Sequence, residues 1–382
     1  MLPQRDPRQL LQAADEFEKQ RIGVHAMQLG ALGTATRAVT PRAYLLERLR
    51  ARPFVPDPRL TNPHLQTILG SILPRRTPLV DQTGQPRTFQ TRPDTAVTGV
   101  CHWQTGYTPA DRPTLLLLHG MEGSVESSYM RGIAEKALRA GYHVIRLNTR
   151  TCGGTEHLSP HLYNAGLTED ARAVIAELGE RDGATDVYVV GVSLSGNVVL
   201  RLASEYGANA PRHVRGVAAI SPSADLTAST AAIERRSNWL YHRRFVQSLK
   251  ARMKRKAALF PDRYDARHLA RIRTIREFDE TYTAVAAGYE SAADYYHRAS
   301  AVRTAAAIRL PTLIIHAQDD PFIPAAPLLE PPFADNPSIA VLLTKHGGHV
   351  GFLAARGTDA DRRWAEHRIM DFVRALDAVR RR

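Results

Sequence analysis

The sequence is poor in cysteine and in long apolar runs, and both shortages exclude classes of protein. Only two cysteines, Cys101 and Cys152, occur among 382 residues, too few for a disulfide framework or a site of four thiolates around a metal. No stretch approaches the roughly 20 uninterrupted apolar residues that a membrane-spanning helix needs. The N-terminus also lacks the compact apolar core of a secretory signal. We therefore expect a cytoplasmic protein.

Acidic residues are outnumbered by basic ones. The chain has 51 Lys and Arg against 38 Asp and Glu, a formal charge of +13, which is compatible with nucleic acid or anionic lipid as a partner. No nucleic-acid-binding motif accompanies this charge, so we expect no nucleic acid partner. The apolar fraction of 43% is that of an ordinary globular protein. The length allows one large α/β domain of roughly 250 residues with insertions and extensions.

The pattern of apolar residues divides the chain into four parts. Residues 1–50 show helical spacing without a catalytic motif, and we interpret them as a helical extension. Residues 51–225 begin with a proline-rich connector that precludes one continuous helix, and from about residue 99 strands alternate with helices. Residues 226–308 are helical and basic, which is typical of an inserted cap, and residues 309–382 complete the alternation. We predict a mostly parallel central sheet flanked by helices, with a helical cap insertion.

A serine stands at a predicted junction between a strand and a helix. Residues 191–196 read Gly-Val-Ser-Leu-Ser-Gly, and small residues on both sides permit a tight turn that lifts the Ser193 hydroxyl above the sheet. The following helix presents its first N–H groups to developing negative charge. We predict that Ser193 is a nucleophile and that the Leu194 N–H forms half of an oxyanion hole. Ser195 stands where such motifs usually have a second glycine, and serine is small enough to fit.

A second turn with a predicted role follows the apolar run TLLLLHG at 114–120. In folds with this type of serine turn, a backbone N–H after such a strand supplies the other half of the oxyanion hole. The Met121 N–H is our candidate for this donor. We interpret His119 as a structural residue that hydrogen-bonds the turn.

An aspartate and a histidine follow the last two predicted strands. Asp320 ends the run TLIIHAQDD, and its spacing to Pro324 favours it over the neighbouring Asp319, which would then cap or solvate the turn. His349 lies in a loop whose glycines let the imidazole reach over the sheet, whereas His346 is nearer the strand and is interpreted as structural. No further ligand cluster accompanies the two histidines, so we expect no metal.

Ser193, Asp320 and His349 follow one another in the chain order that the α/β-hydrolase fold uses for its catalytic triad. In such a triad His349 removes the Ser193 proton during attack on an ester carbonyl, Asp320 fixes the tautomer of His349, and two N–H groups bind the oxyanion. Water then cleaves the acyl-enzyme. The predicted activity is therefore hydrolysis of small-molecule acyl esters.

With these residues the chain resembles the YheT-type branch of the α/β-hydrolases, which includes bacterial hydrolases, yeast ethanol acyltransferase/esterases and mammalian abhydrolase-domain lipases. The resemblance covers about residues 50–375, and its most specific marks are NPHLQT at 62–67 and GGHVGF at 347–352. Another mark is the HGMEGS turn at 119–124. The resemblance implies esterase or acyl-transfer activity without a metal or organic cofactor. The family usually reads G-x-S-x-G-G-N where this chain reads GVSLSGN.

Two alternative functions remain open at this point. Acyl transfer to an alcohol uses the same triad and differs only in whether water or an alcohol attacks the acyl-enzyme. A catalytically silent lipid-binding protein is compatible with the same fold; Ser195 favours this alternative and the complete triad opposes it. Epoxide hydrolase and haloalkane dehalogenase chemistry would need an aspartate at position 193 and are excluded.

A basic segment lies within the predicted cap, from Glu234 to Lys256. Apolar residues recur there at roughly helical spacing, which predicts an amphipathic helix with a cationic face. One interpretation is a solvated cap face over an apolar substrate tunnel. The other is a face that docks on anionic lipid, so that an acyl substrate leaves the membrane beneath the cap. The apolar residues are Trp239, Phe245, Val246, Leu249 and Met253, and the basic residues are Arg235, Arg236, Arg243, Arg244, Lys250, Arg252, Lys254, Arg255 and Lys256.

Overall fold

The computed structural model describes residues 46–47 and 49–380. The predicted extension at 1–50 lies outside this part of the chain except for its last residues, of which 46–47 and 49–50 are helical. Among the described helices, none combines the length and the apolar character needed to cross a bilayer.

Eight strands of the described residues form one sheet. Their bounds are β1 Gln85–Arg92, β2 Thr95–His102, β3 Thr114–Leu118, β4 His143–Leu147, β5 Val187–Val192, β6 Val214–Ile220, β7 Thr312–Ala317 and β8 Ile339–Thr344. The order across the sheet is β1-β2-β4-β3-β5-β6-β7-β8. Strand β2 pairs antiparallel with β1 and β4, and all other pairs are parallel. The predicted mostly parallel sheet is therefore confirmed.

Helices connect the strands and cover the sheet. Besides the helical residues 46–47 and 49–50, the helices of the described part of the chain are α1 Pro63–Ile72, α2 Pro78–Thr83, α3 Ser128–Arg139, α4 Glu169–Glu180, α5 Leu194–Tyr206, α6 Leu226–Ile233, α7 Trp239–Leu259, α8 Ile275–Phe278, α9 Ala284–Ala287, α10 Ala292–Ala299, α11 Ala326–Leu329 and α12 Trp364–Arg380. Shorter 3-10 helices and one π-helical turn lie between them. The last helix was predicted from its apolar face and is present.

The central strands are buried on both faces. All five residues of β3 are inaccessible or nearly so, and successive side chains point to opposite faces because the side-chain period of a strand is two. Leu116 and Leu118 pack with residues of α4 and α5, whereas Leu115 and Leu117 pack with residues of α3 and α12. Each fully buried leucine contributes about 1.5–3 kcal/mol by leaving water. The two apolar layers therefore hold the carboxyl ends of β3, β5 and β7 in fixed positions.

The hairpin of β1 and β2 and the helices α1 and α2 before it were not predicted. The hairpin of β1 and β2 was missed because β1 buries only Phe89 among its eight residues and reads as a polar segment. Helix α1 lies inside the proline-rich connector. It begins at Pro63, where the missing N–H of proline has no cost, and the Asn62 side chain accepts hydrogen bonds from the amides of His64 and Leu65.

Every described element between β6 and β7 is helical. Val246, Leu249 and Met253 of α7 pack against Phe322 and Ile323, which follow β7, so this insertion covers the carboxyl end of the sheet. The role of the insertion as a cap, with bounds at 226 and 308, stays a prediction.

The predicted cationic face of α7 is smaller than expected. Arg252 and Lys256 are buried, because Arg252 donates to Glu122 and Lys256 donates to the backbone carbonyls of Glu156 and Ser159. Trp239, one of the apolar residues of this segment, does not share the burial of Val246, Leu249 and Met253. It is 54% exposed at the first position of the helix.

Candidate active site

Ser193 lies in the turn between β5 and α5. Its backbone has φ 54° and ψ −116°, a conformation that costs a non-glycine residue about 1–3 kcal/mol. The turn is crowded: a Cβ atom on Gly191 would lie 2.1 Å from the carbonyl oxygen of Ser195, and one on Gly196 would lie 2.9 Å from the Cα atom of Pro222. Glycine at both positions therefore permits the sharp turn that exposes the Ser193 hydroxyl above the sheet.

Ser195 fits into this turn and joins it to the turn after β3. It is 3% exposed, and its hydroxyl donates a hydrogen bond to the backbone carbonyl of His119. The two turns also touch at Gly120, where a Cβ atom would lie 3.1 Å from the Cβ atom of Ser193. The serine in place of the usual glycine is thus accommodated with its hydroxyl satisfied.

The structure brings Ser193, His349 and Asp320 together in one chain of hydrogen bonds. The Ser193 Oγ atom lies 2.9 Å from His349 Nε2, and His349 Nδ1 lies 2.8 Å from Asp320 Oδ2. The other carboxylate oxygen, Oδ1, accepts hydrogen bonds from the amides of Phe322 and Ile323 at 2.8 and 3.0 Å. When Nδ1 carries the proton that is donated to Asp320, Nε2 is free to accept the proton of Ser193.

The Asp320 carboxyl remains ionised in a buried position. Burial alone would raise its pKa, but the charge and hydrogen bond of His349 and the amide of Phe322 together hold the pKa below the usual value of an aspartate. A negative charge at neutral pH therefore faces the imidazole of His349.

Asp319 points away from His349. Its Oδ1 atom accepts a hydrogen bond from the amide of Gly348 at 2.9 Å, and its Oδ2 atom lies 3.2 Å from Nδ1 of His346. Asp319 and His346 thus brace the backbone of the loop that carries His349. This placement agrees with the expectation that the second carboxylate caps the turn.

Helix α1 supports the loop of the histidine. The His349 amide donates to the hydroxyl of Thr67 at 2.9 Å, and the Leu353 amide donates to the side chain of Gln66 at 2.7 Å. A Cβ atom on Gly348 would lie 2.4 Å from the carbonyl oxygen of Pro63. Sequence reasoning did not assign Thr67 or Gln66, although NPHLQT and GGHVGF were noted together. The two motifs form one structural unit.

The two candidate oxyanion donors flank the Ser193 turn. Leu194 is the first residue of α5, so its N–H has no acceptor within the helix. Met121 follows Gly120, whose amide donates to the hydroxyl of Tyr129 at 2.9 Å. Because Gly120 adjoins Ser193, Met121 and Leu194 belong to the two turns that meet at the serine.

His119 has the structural contacts expected of it. Its Nδ1 atom lies 2.7 Å from the carbonyl oxygen of Gly120, and its Nε2 atom accepts from the amide of Thr149 at 3.0 Å. Burial lowers the pKa of His119 to about 4. The ring is therefore neutral at pH 7 and fixes the turn after β3.

Glu122 is a residue of this turn that sequence reasoning missed. It has φ 55°, and its carboxylate accepts hydrogen bonds from Arg252 Nε at 2.8 Å, from Ser248 Oγ at 3.0 Å and from Tyr163 OH at 3.0 Å. The sequence contains two signals of this contact. One is the glutamate of the HGMEGS turn, and the other is the four-residue spacing of Ser248 and Arg252.

Aromatic rings lead from His349 to the surface. The ring of Phe322 packs against His349 at 4.8 Å, Tyr241 of α7 packs against Phe322 at 4.6 Å, and His64 of α1 stacks on Tyr241 at 5.7 Å. The first turns of α1 and α7 therefore border the site on the side of the histidine.

One family model and two named relatives match most or much of this chain. A family model described as alpha/beta hydrolase fold matches residues 113–355. The chain is 33% identical to "Putative esterase YheT" of Escherichia coli (strain K12) over 322 residues, which cover 84% of this chain and 92% of that protein. It is 31% identical to Phospholipase ABHD3 of Mus musculus over 243 residues, which cover 63% of this chain and 59% of that protein.

Solved structures agree on the fold. The esterase Pf2001 of Pyrococcus furiosus superposes with a TM-score of 0.50 at 16% sequence identity, over 80% of this chain and 97% of that chain. At this identity the likeness concerns the fold alone.

Proposed function

The chain belongs to the α/β-hydrolase family, and from that premise we propose that it is a serine hydrolase that cleaves carboxylic acyl esters. Ser193 is the nucleophile, His349 the base and Asp320 the residue that orients the base. The observation that carries this proposal is the continuous pair of hydrogen bonds from Ser193 Oγ to His349 and from His349 to the buried Asp320. The names of the relatives, an esterase and a phospholipase, support the ester class of substrate.

In the proposed reaction the Ser193 oxygen attacks the acyl carbonyl carbon while His349 Nε2 takes the hydroxyl proton. The N–H groups of Met121 and Leu194 bind the oxyanion. When the tetrahedral intermediate collapses, His349 returns the proton to the departing alcohol and the acyl group stays on Ser193. Water then attacks the acyl-enzyme, gives a proton to His349 and releases the carboxylic acid, and the proton returns to Ser193.

Fluorophosphonate labelling together with hydrolysis of p-nitrophenyl esters of increasing chain length tests this proposal. The wild-type protein is expected to react with the probe and to hydrolyse at least the shorter esters, whereas Ser193→Ala does neither. Ser237→Ala is the matched control, because Ser237 is an exposed serine of the insertion. Equal labelling and hydrolysis in wild type and Ser193→Ala would contradict the assignment, and a wild type that reacts with neither reagent would favour the silent lipid-binding alternative.

The same assay separates hydrolysis from acyl transfer. Both reactions share the acyl-enzyme and differ in the second attacking group. Adding ethanol and quantifying ethyl ester against free acid measures the partition directly. Free acid as the main product at moderate ethanol concentration supports the hydrolase, and ethyl ester as the main product identifies a transferase.

We also propose that the start of α7 contacts an anionic membrane surface. Trp239 and Leu240 are 54% and 63% exposed. Four exposed arginines flank them in sequence: Arg235, Arg236, Arg243 and Arg244. Tyr241, the next residue, leads through Phe322 to His349, so a docked α7 would bring the site close to acyl chains. The expected cytoplasmic location stays a prediction.

Sedimentation with liposomes tests the membrane contact. Each basic side chain near an anionic surface contributes about 1 kcal/mol, so the four arginines would raise affinity by roughly a thousandfold. Wild type is expected to sediment with phosphatidylglycerol-containing vesicles at low salt and less at high salt. Arg243→Ser/Arg244→Ser weakens this binding, while Arg212→Ser/Arg303→Ser, at exposed sites near the far end of α5, does not. Negligible binding to neutral and anionic vesicles alike at low salt would contradict the contact.

A further inference from the structure

We infer that Ser248 and Arg252 are positioning residues for the oxyanion turn, so that the seating of helix α7 on the core and the placement of the Met121 N–H are coupled through Glu122. The inference rests on the proposed hydrolase function, because the experiments that test it measure the rate of ester hydrolysis. It assigns a role to the buried side of α7 that is separate from the exposed arginines at the start of that helix.

The first supporting observation is the position and conformation of Glu122. It directly follows Met121, and its φ of 55° is unusual for a residue with a side chain. Its side chain is only 9% exposed. A carboxylate this deeply buried is destabilised unless charged or hydrogen-bonding partners surround it, so the conformation of the turn depends on its partners.

Those partners come from two other parts of the chain. Ser248 and Arg252 project from successive turns of α7 and donate to the two oxygens of the carboxylate, at 3.0 and 2.8 Å. Tyr163, in the connection from β4 to α4, donates its hydroxyl to one oxygen and accepts the Glu122 amide at 3.3 Å.

Arg252 is itself held in place. Its side chain is 3% exposed, its guanidinium lies 4.6 Å from the ring centre of Tyr163, and it donates to the hydroxyl of Thr151 at 3.3 Å. The arginine is therefore a fixed anchor on the insertion helix and not a mobile surface charge.

Met121 is consequently held from both sides. On one side the Gly120 amide is bonded to Tyr129, and on the other the Glu122 amide and carboxylate are bonded to Tyr163 and α7. An oxyanion donor must lie at hydrogen-bond distance from the charged oxygen of the transition state. If α7 shifts away from the core, Glu122 loses two of the three groups that donate to its carboxylate. The Met121 N–H then loses the contacts that hold it in place.

Steady-state kinetics on a short, water-soluble p-nitrophenyl ester tests the coupling, together with the rate of fluorophosphonate labelling and the Tm. Arg252→Met is the main variant. Arg255→Met is the matched control, because Arg255 also lies on α7 and also pairs with a buried glutamate, Glu156 at 2.6 Å, but not with the oxyanion turn. Ser248→Ala and Glu122→Gln are smaller changes that test the same contact if Arg252→Met does not fold.

Arg252→Met is expected to lower kcat by about tenfold to a hundredfold with KM nearly unchanged, since removal of a whole oxyanion donor costs about 10²–10³-fold and a displaced donor costs less. The labelling rate should fall in parallel, because the phosphonyl oxygen uses the same donors. Arg252→Lys should recover part of kcat, and Ser248→Ala and Glu122→Gln should lower it by several-fold.

Arg255→Met is expected to leave kcat within about twofold of wild type even where the Tm falls, because a lost ion pair that affects only folding does not change the rate of the folded enzyme. The inference is overturned if folded Arg252→Met, Ser248→Ala and Glu122→Gln keep the wild-type kcat, or if Arg255→Met lowers kcat as much as Arg252→Met. Either result leaves hydrolysis dependent on Ser193. Undiminished hydrolysis in Ser193→Ala would instead remove the proposed function itself.

Discussion

Replacing Asp320 by asparagine should reverse the tautomer of His349. Oδ1 of Asp320 accepts two backbone N–H groups, from Phe322 and Ile323. In Asp320→Asn only the amide oxygen can occupy that place, because the amide nitrogen is a donor. The nitrogen then takes the position of Oδ2, 2.8 Å from His349 Nδ1, and donates to it.

The expected loss follows from that reversal. With Nδ1 accepting, the ring proton moves to Nε2, which can no longer accept the proton of Ser193. A triad with the wrong histidine tautomer loses about 10⁴-fold in kcat while its geometry stays intact. The assay is p-nitrophenyl ester hydrolysis at pH 7, with thermal unfolding measured beside it to confirm an unchanged fold.

Asp319→Asn is the matched control at the neighbouring position. Its retained amide oxygen can still accept from the amide of Gly348, and only the contact with His346 weakens. One such hydrogen bond is equivalent to about 1 kcal/mol, so activity should stay within roughly tenfold of wild type. If Asp319→Asn abolished hydrolysis and Asp320→Asn retained it, the assignment of the orienting carboxylate and the tautomer argument would both be refuted.

Two further predictions concern the turns around Ser193. Ser195→Gly should keep hydrolysis within a few-fold of wild type but lower the free energy of unfolding by about 1–2 kcal/mol. The hydrogen bond to His119 is lost, and glycine is less stable inside a helix. Urea denaturation measures this free energy, and an inactive but fully stable variant would contradict the prediction. His119 has a pKa of about 4 in the folded protein, so the unfolded chain, with an ordinary histidine pKa, binds its proton first as the pH falls. Its contribution to stability is present above pH 6.5 and is lost towards pH 4, and between pH 7 and 5 wild type should lose about 2 kcal/mol more than His119→Asn. Equal losses in the two proteins would contradict the low pKa.

The parts of the site predictable from sequence are those that local patterns encode. The sharp turn at Ser193 depends on Gly191 and Gly196, which lie within a few residues of the serine. The apolar runs of β3, β5 and β7 mark where the turn after each strand begins. The choice of Asp320 over Asp319 also used local spacing. These features require no knowledge of which segments meet in space.

The features that were missed depend on contacts between distant segments. Glu122 meets Arg252 across 130 residues, and Thr67 meets His349 across 282. Neither pair has a periodicity that a single sequence displays. The burial of Arg252 was missed for the same reason: a basic residue on a basic helix is assigned to the surface until its acidic partner is known.

The contact between α1 and the loop of His349 has a consequence for where the smallest active unit of this chain can begin. A Cβ atom on Gly351 would lie 2.4 Å from the carbonyl oxygen of Gln66, and one on Gly70 would lie 2.5 Å from the Cα atom of Gly351. Backbone therefore rests directly on backbone at this contact. A fragment that starts at residue 113 would hold Ser193, Asp320 and His349 and keep the brace of Asp319 and His346, but it would lose the hydrogen bonds that join Thr67 and Gln66 to the loop of His349. If the proposed hydrolase function holds, we expect the smallest active fragment to include α1 and its N-cap Asn62, ahead of the first strand of the sheet.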